Sequence, residues 1–140
     1  MEDANRLANN HMSRLSHSAT ATKIIEELLE EKLIVANNAI LKNRNRLNND
    51  FLKELSRDLK VDEIYWNNPT GEIIYSSEDK YLGWQALEGH PVYDFMKSNK
   101  DVLIGPMRAD TESGIYYKYG YLRAHDGEFV QVGILANKIH

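Results

Sequence analysis

Apolar residues in the first 60 positions recur in steps of three, four and seven: Ile25, Leu29, Leu33, Ala36, Ile40, Leu47, Phe51, Leu55 and Leu59. Those steps line one face of a helix. No glycine interrupts the stretch, and no proline occurs before Pro69. Unbroken from Ile24 to Asp58, such a helix runs roughly 50 Å at about 1.5 Å per residue. Its weak point is NRNRLNND (43–50), because Asn and Asp are poor in helix interiors and good as caps. A kink or a second helix start is expected there. Residues 1–22 read as helical or frayed, since SHSATAT is a poor helix former.

The pattern then changes period. All eight tyrosines, both tryptophans and all eight glycines lie between Tyr65 and Gly133. DEIYW, NNPTG and EIIYSS predict strand, turn and strand. HPVYDFMKSNK predicts a short helix, with Pro91 at its first position and Lys97 and Lys100 near its last carbonyls. DVLIGPMR is a third strand. GIYYKYGYLR, the turn AHDG and EFVQVGILAN form a hairpin closed by an Asp-Gly pair. Short, hairpin-like connections favour one antiparallel sheet with helices on one face, an α+β fold. The chain reads as one structural domain: a helical segment over 1–60 and a sheet core over 61–140.

Composition narrows the function. The 140 residues are enough for one domain with a core and carry a net charge of −4. Residues 1–60 hold ten Lys/Arg and nine Asp/Glu, against seven and twelve in 61–140. With no basic stripe, nucleic acid is not an expected partner. The absence of cysteine excludes thiolate metal sites, disulfides and cysteine nucleophiles. The five histidines (11, 17, 90, 125 and 140) have no metal-ligand spacing, so no metal is expected. No phosphate loop, nucleophile elbow or H-E-x-x-H helix occurs, so no enzyme activity and no catalytic residue are expected. No apolar run approaches a membrane span, and MEDANRLANN is not a signal peptide. Two readings stand: a cytosolic chain, or an excised part of a larger one.

Residues 59–137 resemble a Cache (PAS-like) sensor module, the single-unit form found outside the membrane in bacterial and archaeal chemoreceptors and sensor histidine kinases. The resemblance rests on LKVDEIYWNNPTGEIIYSS, HPVYDFMKS and GPMRADTESGIYYKYGYLRAHDGEFVQVGIL, in that order and spacing. It implies a long N-terminal helix packed on a five-stranded antiparallel sheet, with a short covering helix and loops over a ligand pocket. This chain departs from the family pattern in three places. Asn68 stands in a turn that often carries Asp, and His90 stands where an arginine commonly anchors a ligand carboxylate. Ala136-Asn137 replaces the acid that holds an amine in amino-acid-sensing members.

Candidate ligand-binding residues are Trp84, His90, Tyr93, Met107, Arg108, Tyr117, Lys118 and Tyr119. Strand alternation puts Tyr117, Tyr119 and Tyr121 on one face and Tyr116, Lys118 and Gly120 on the other. A buried Lys118 needs an anionic partner, which a bound carboxylate would supply; otherwise it is a solvated lysine. The planar fork of Arg108 suits a carboxylate, or a surface pairing with Asp110 or Glu112. His90 is a ligand donor or a helix cap, and Tyr93 shares its helix face as lid or core. Trp84 lies in the loop that the family uses as a cover, or plugs the core.

The expected function is non-catalytic sensing of a small anionic metabolite, a small carboxylate first. The signal passes to the output module of a membrane receptor, through the N-terminal helix or the chain after Asn137. The resemblance implies an extracytoplasmic site, anchored by spans outside this sequence, with no cofactor. A homodimer through the N-terminal helix is the expected assembly. The alternatives are a dimerisation scaffold with a filled core, or a cytosolic PAS domain holding haem or flavin, with His90 or His125 as the haem ligand.

Overall fold

The computed structural model describes residues 2–110 and 113–135, with side chains from residue 19 onward. Glu112 and the chain from 136, His140 included, therefore lie outside what is described, as do the side chains of His11 and His17.

Helix α1 spans Glu2–Lys42, a single 3-10 turn follows at Arg44–Arg46, and α2 spans Asn49–Asp58. The expected weak point is thus a full break with a second start. Asn48 is its cause: the side chain accepts a hydrogen bond from Phe51 N at 2.7 Å and caps α2. The turn is pinned to the sheet by Arg44, which pairs with Asp126 and Glu128 and lies over the Trp66 ring at 5.1 Å. The Trp66 indole N–H donates to Glu128 at 3.0 Å.

Five strands follow: β1 (Glu63–Asn67), β2 (Ile73–Ser76), β3 (Val102–Ala109), β4 (Tyr116–Arg123) and β5 (Phe129–Leu135). They form one antiparallel sheet in the order β2-β1-β5-β4-β3. The β1–β2 turn is built by Asn68, whose Oδ1 accepts from Thr70 N, Thr70 Oγ1 and Glu72 N. An amide oxygen thus does the acceptor work expected of an aspartate here. Gly71 in that turn has φ +84°, a conformation that disfavours any side chain.

The sheet is covered on both faces, which corrects the expectation of helices on one. All five residues of β1 are buried, so neither face of the central strands tolerates water. On one face Leu33, Ala36 and Ile40 of α1 and Leu52 of α2 pack on Ile64, Trp66, Val130, Val132 and Ile134. Gly120 allows this close approach, since a Cβ there would lie 3.0 Å from Leu33 Cβ. On the other face lies α3 (Pro91–Lys97), with Val92 and Phe95 packed against Tyr119, Tyr121 and Phe129. Phe95 stacks on Tyr121 at 5.0 Å. Arg123 ties down the far end of α3, donating to Phe95 O at 2.6 Å and Ser98 O at 3.2 Å.

No helix among the described residues is long and apolar enough to cross a membrane.

Candidate ligand cleft

A cleft opens on the α3 face, between the sheet and the segment linking β2 to α3. Its floor is Tyr65 of β1, Tyr119 of β4 and Gln131 of β5; Ile73 and Val92 supply apolar wall. Tyr81 and Trp84 close it from the linking segment, His90 from the start of α3, and Arg108 and Asp110 from the end of β3. A one-turn 3-10 helix (Asp79–Tyr81) carries Tyr81, and backbone bonds such as Gly83 N to Ile73 O at 2.9 Å fasten this lid to β2.

The cleft volume is about 30 Å³. At about 10–15 Å³ for each water on that measure, this is room for two or three waters.

Arg108 lies over the Tyr119 ring at 4.7 Å and donates to Tyr121 Oη at 3.2 Å. Asp110 reaches the Tyr81 hydroxyl at 3.5 Å and accepts from Ser113 N at 3.1 Å. His90 is the N-cap of α3, its Nδ1 accepting from Val92 N at 3.1 Å, and its ring meets Trp84 edge-on at 4.8 Å. With Nδ1 accepting, a neutral imidazole carries its proton on Nε2.

Below the floor sits Glu63, 5 % exposed, accepting from Tyr119 Oη at 3.0 Å. Burial pushes its carboxyl above the ordinary glutamate range, against the lowering effect of bonds from Tyr119 and Tyr65. Burial, followed by the nearby Glu63 charge, pushes the phenols of Tyr65, Tyr117 and Tyr119 up as well. Tyr121 is raised by burial, with Arg108 opposing.

The structure gathers four of the eight candidate residues around the cleft: Trp84, His90, Arg108 and Tyr119. Tyr117 shares their sheet face and packs beside Tyr119 at 5.6 Å, outside the lining. Tyr93 packs at the edge of the aromatic core, with Lys97 over its ring at 5.6 Å. Met107 and Lys118 pair with each other in register, one residue out of phase with the Arg108–Tyr117 pair. They therefore belong to the opposite face. Lys118 is buried there against α1, donating to Gly105 O at 3.0 Å with Glu30 at 3.7 Å. Its anionic partner is a residue of this chain. The alternation of β4 foresaw the separation of Lys118 from Tyr119 but not which face held the cleft.

Tyr65, Tyr81, Asp110, Gln131 and the underlying Glu63 were not among the candidates. Asp110 and Tyr81 lie in loops without periodicity. Glu63 had a visible signal, an acid in the strand DEIYW on the same side as Tyr65. Among the described residues no cluster of His, Asp and Glu is arranged to hold a metal.

No family model matches the chain, and no curated protein matches it in sequence. Solved structures do match in fold. The ligand-binding domain of Campylobacter jejuni chemoreceptor Tlp3, in complex with 4-methylisoleucine, superposes with a TM-score of 0.62 at 14% identity, covering 82% of this chain and 54% of that one. The sensory domain of the same receptor with isoleucine bound gives 0.57 at 13% identity, covering 82% and 55%. The Bacillus subtilis YkuI protein, which has an EAL domain and is in complex with c-di-GMP and calcium, gives 0.58 at 16% identity, covering 81% and 32%. This chain spans about half the length of the chemoreceptor domains it matches. It has the α+β, Cache-like fold of those ligand-binding sensory domains.

Proposed function

We propose that this chain is a non-catalytic sensory domain that binds a small molecule in the cleft between sheet and lid. One observation carries the reading. Arg108, Asp110 and His90 converge with four aromatic rings on a single cleft, in a fold shared with domains that hold isoleucine and valine. Polar groups converging within an aromatic wall are the usual dress of a small-molecule site. A carboxylate remains the first ligand class, with the Arg108 fork as its anchor and the His90 Nε2 as a second donor. Asp110, just past β3, puts a carboxylate on the cleft wall where it can hold an amine, so amino acids join the panel.

The signal leaves through α1 or through the chain beyond β5. Asp62, at the foot of β1, holds Leu135 N at 2.7 Å and so ties the chain exit to the strand that carries Tyr65. The domain works outside the membrane as part of a receptor, and a second copy covers the exposed seam of Ile24, Leu28 and Val35 on α1.

The test is a thermal-shift panel of small carboxylates, amino acids and amines on the purified domain. A ligand at 100 times its Kd adds about 2.7 kcal/mol. The expected result is a selective rise that Arg108→Ala abolishes. The small cleft favours a second reading, a scaffold whose aromatic face is only core. No rise with any compound, together with unchanged stability in Asp110→Asn and His90→Asn, is the outcome that supports it.

A further inference from the structure

Glu63 has no part in the ligand reading, yet it is the most deeply placed acid of this face. It lies opposite Gly133 of β5. Gly133 leaves room for the Tyr119 ring that reaches Glu63: a Cβ at 133 would be 2.7 Å from Tyr119 Cε1. Tyr119 donates to the carboxyl at 3.0 Å, and Tyr65 and Tyr117 stand on the same sheet face, near enough for its charge to push their phenols up.

The charged and titratable groups around it come from every element packed nearby. They are Tyr65 on β1, Tyr117 and Tyr119 on β4, Asp110 after β3, and Glu78 and Tyr81 after β2. All are phenols or carboxylates. Among the described residues no cation pairs with Glu63 directly. Arg108 lies over the Tyr119 ring at 4.7 Å and donates to Tyr121, Lys80 lies over the Tyr81 ring at 4.9 Å, Lys53 pairs with Asp79, and Lys118 is behind the sheet with Glu30.

A phenol has one proton to donate. While Glu63 is ionised, the Tyr119 proton is committed to it, and the Tyr119 oxygen meets the cleft only as an acceptor. Once the carboxyl takes a proton from solvent it becomes a donor itself, and Tyr119 can turn its own proton outward. We infer that Glu63 is a proton-operated switch beneath the cleft floor, which sets whether the Tyr119 hydroxyl donates down to the carboxyl or up into the cleft. The same proton removes a negative charge beside a cleft that Arg108 and Asp110 both line. On the ligand-binding reading above, anionic ligands are then favoured as pH falls. The switch itself rests only on the buried cluster and is tested without a ligand.

The experiment is a carbon-13 NMR titration of the intact domain, labelled at the glutamate carboxyl and the tyrosine Cζ. The Glu63 and Tyr119 signals are assigned by their loss in Glu63→Gln and Tyr119→Phe. The expected result is a Glu63 midpoint above that of an ordinary glutamate, about 4.3, with Tyr119 Cζ moving at the same midpoint. In Tyr119→Phe the Glu63 midpoint moves higher still, because a bond that favours the charged form is gone. A Glu63 midpoint at or below the ordinary range overturns the switch, as does a Tyr119 signal that ignores it. If Glu63→Gln does not fold, the shift of the Glu63 signal in Tyr119→Phe supplies the assignment.

Discussion

Lys118 Nζ lies 3.0 Å from Gly105 O and 3.7 Å from Glu30 Oε1, on the side of the sheet away from the cleft. The ammonium therefore holds α1 and the irregular part of β3 together. Its partner Glu30 is half exposed, at 48%, so the ion pair is partly screened and the carbonyl bond matters more. Lys118→Ala should lower stability by about 1–3 kcal/mol through the unmade bond and the lost stem packing. Denaturant unfolding reads this. Any ligand found in the cleft should keep its affinity in that variant, as a binding isotherm would show.

Asn37 sits on α1 between Leu33 and Ile40, 2% exposed, and neither atom of its carboxamide has a hydrogen-bond partner among the described residues. A buried amide without partners carries a desolvation penalty of about 1–3 kcal/mol. Asn37→Leu should raise the denaturation midpoint, by roughly 1 kcal/mol of stability once packing adjustments are counted. A fall instead would mean that the amide bonds through water.

Acid should loosen the joint between α1 and the β4–β5 hairpin. Arg44 holds the Asp126 carboxyl down at about 2, against about 3.9 for a free aspartate. A depressed folded value means that the contribution is present above the unfolded value and is lost as pH falls through the folded one. The loss runs from about pH 4 down to about pH 2. Trp66, beneath Arg44, reports it: its fluorescence should change over that window in a Trp84→Phe background, and Arg44→Ala should remove the change.

Glu63 behaves in the opposite sense. Its carboxyl is raised in the folded state, chiefly by burial. A raised value gives a contribution that is full below the unfolded value and lost as pH rises through the folded one. The melting temperature of Glu63→Gln should therefore gain on that of the parent as pH is raised. A constant difference across the series would count against a buried, titrating Glu63.

Gly133→Ala would set a methyl group 2.7 Å from the Tyr119 ring. Overpacking of this kind costs about 1–3 kcal/mol. The ring must leave its place over Gly133, so the variant should also lose the Glu63–Tyr119 coupling that the NMR titration reads.

Local patterns in the sequence determined the elements of this protein. The three-four-seven spacing of Leu33, Ala36 and Ile40 is enough to predict the inner face of α1, because helix period alone decides which side chains share a face. Asn48 and Pro91 signalled helix starts through their own backbone chemistry, and the Asp-Gly pair signalled the last hairpin. The same alternation separated Tyr119 from Lys118. It could not say which of the two faced the cleft, because both faces of β4 are buried and burial has no sign along a single strand. That choice fell to the tertiary structure: α1 lies over Gly120, where a side chain would block it, and so takes the Lys118 face. Tyr65 and Glu63 meet Tyr119 only because β1 lies beside β5, and β5 beside β4, in the sheet, although β1 is dozens of residues away in the chain.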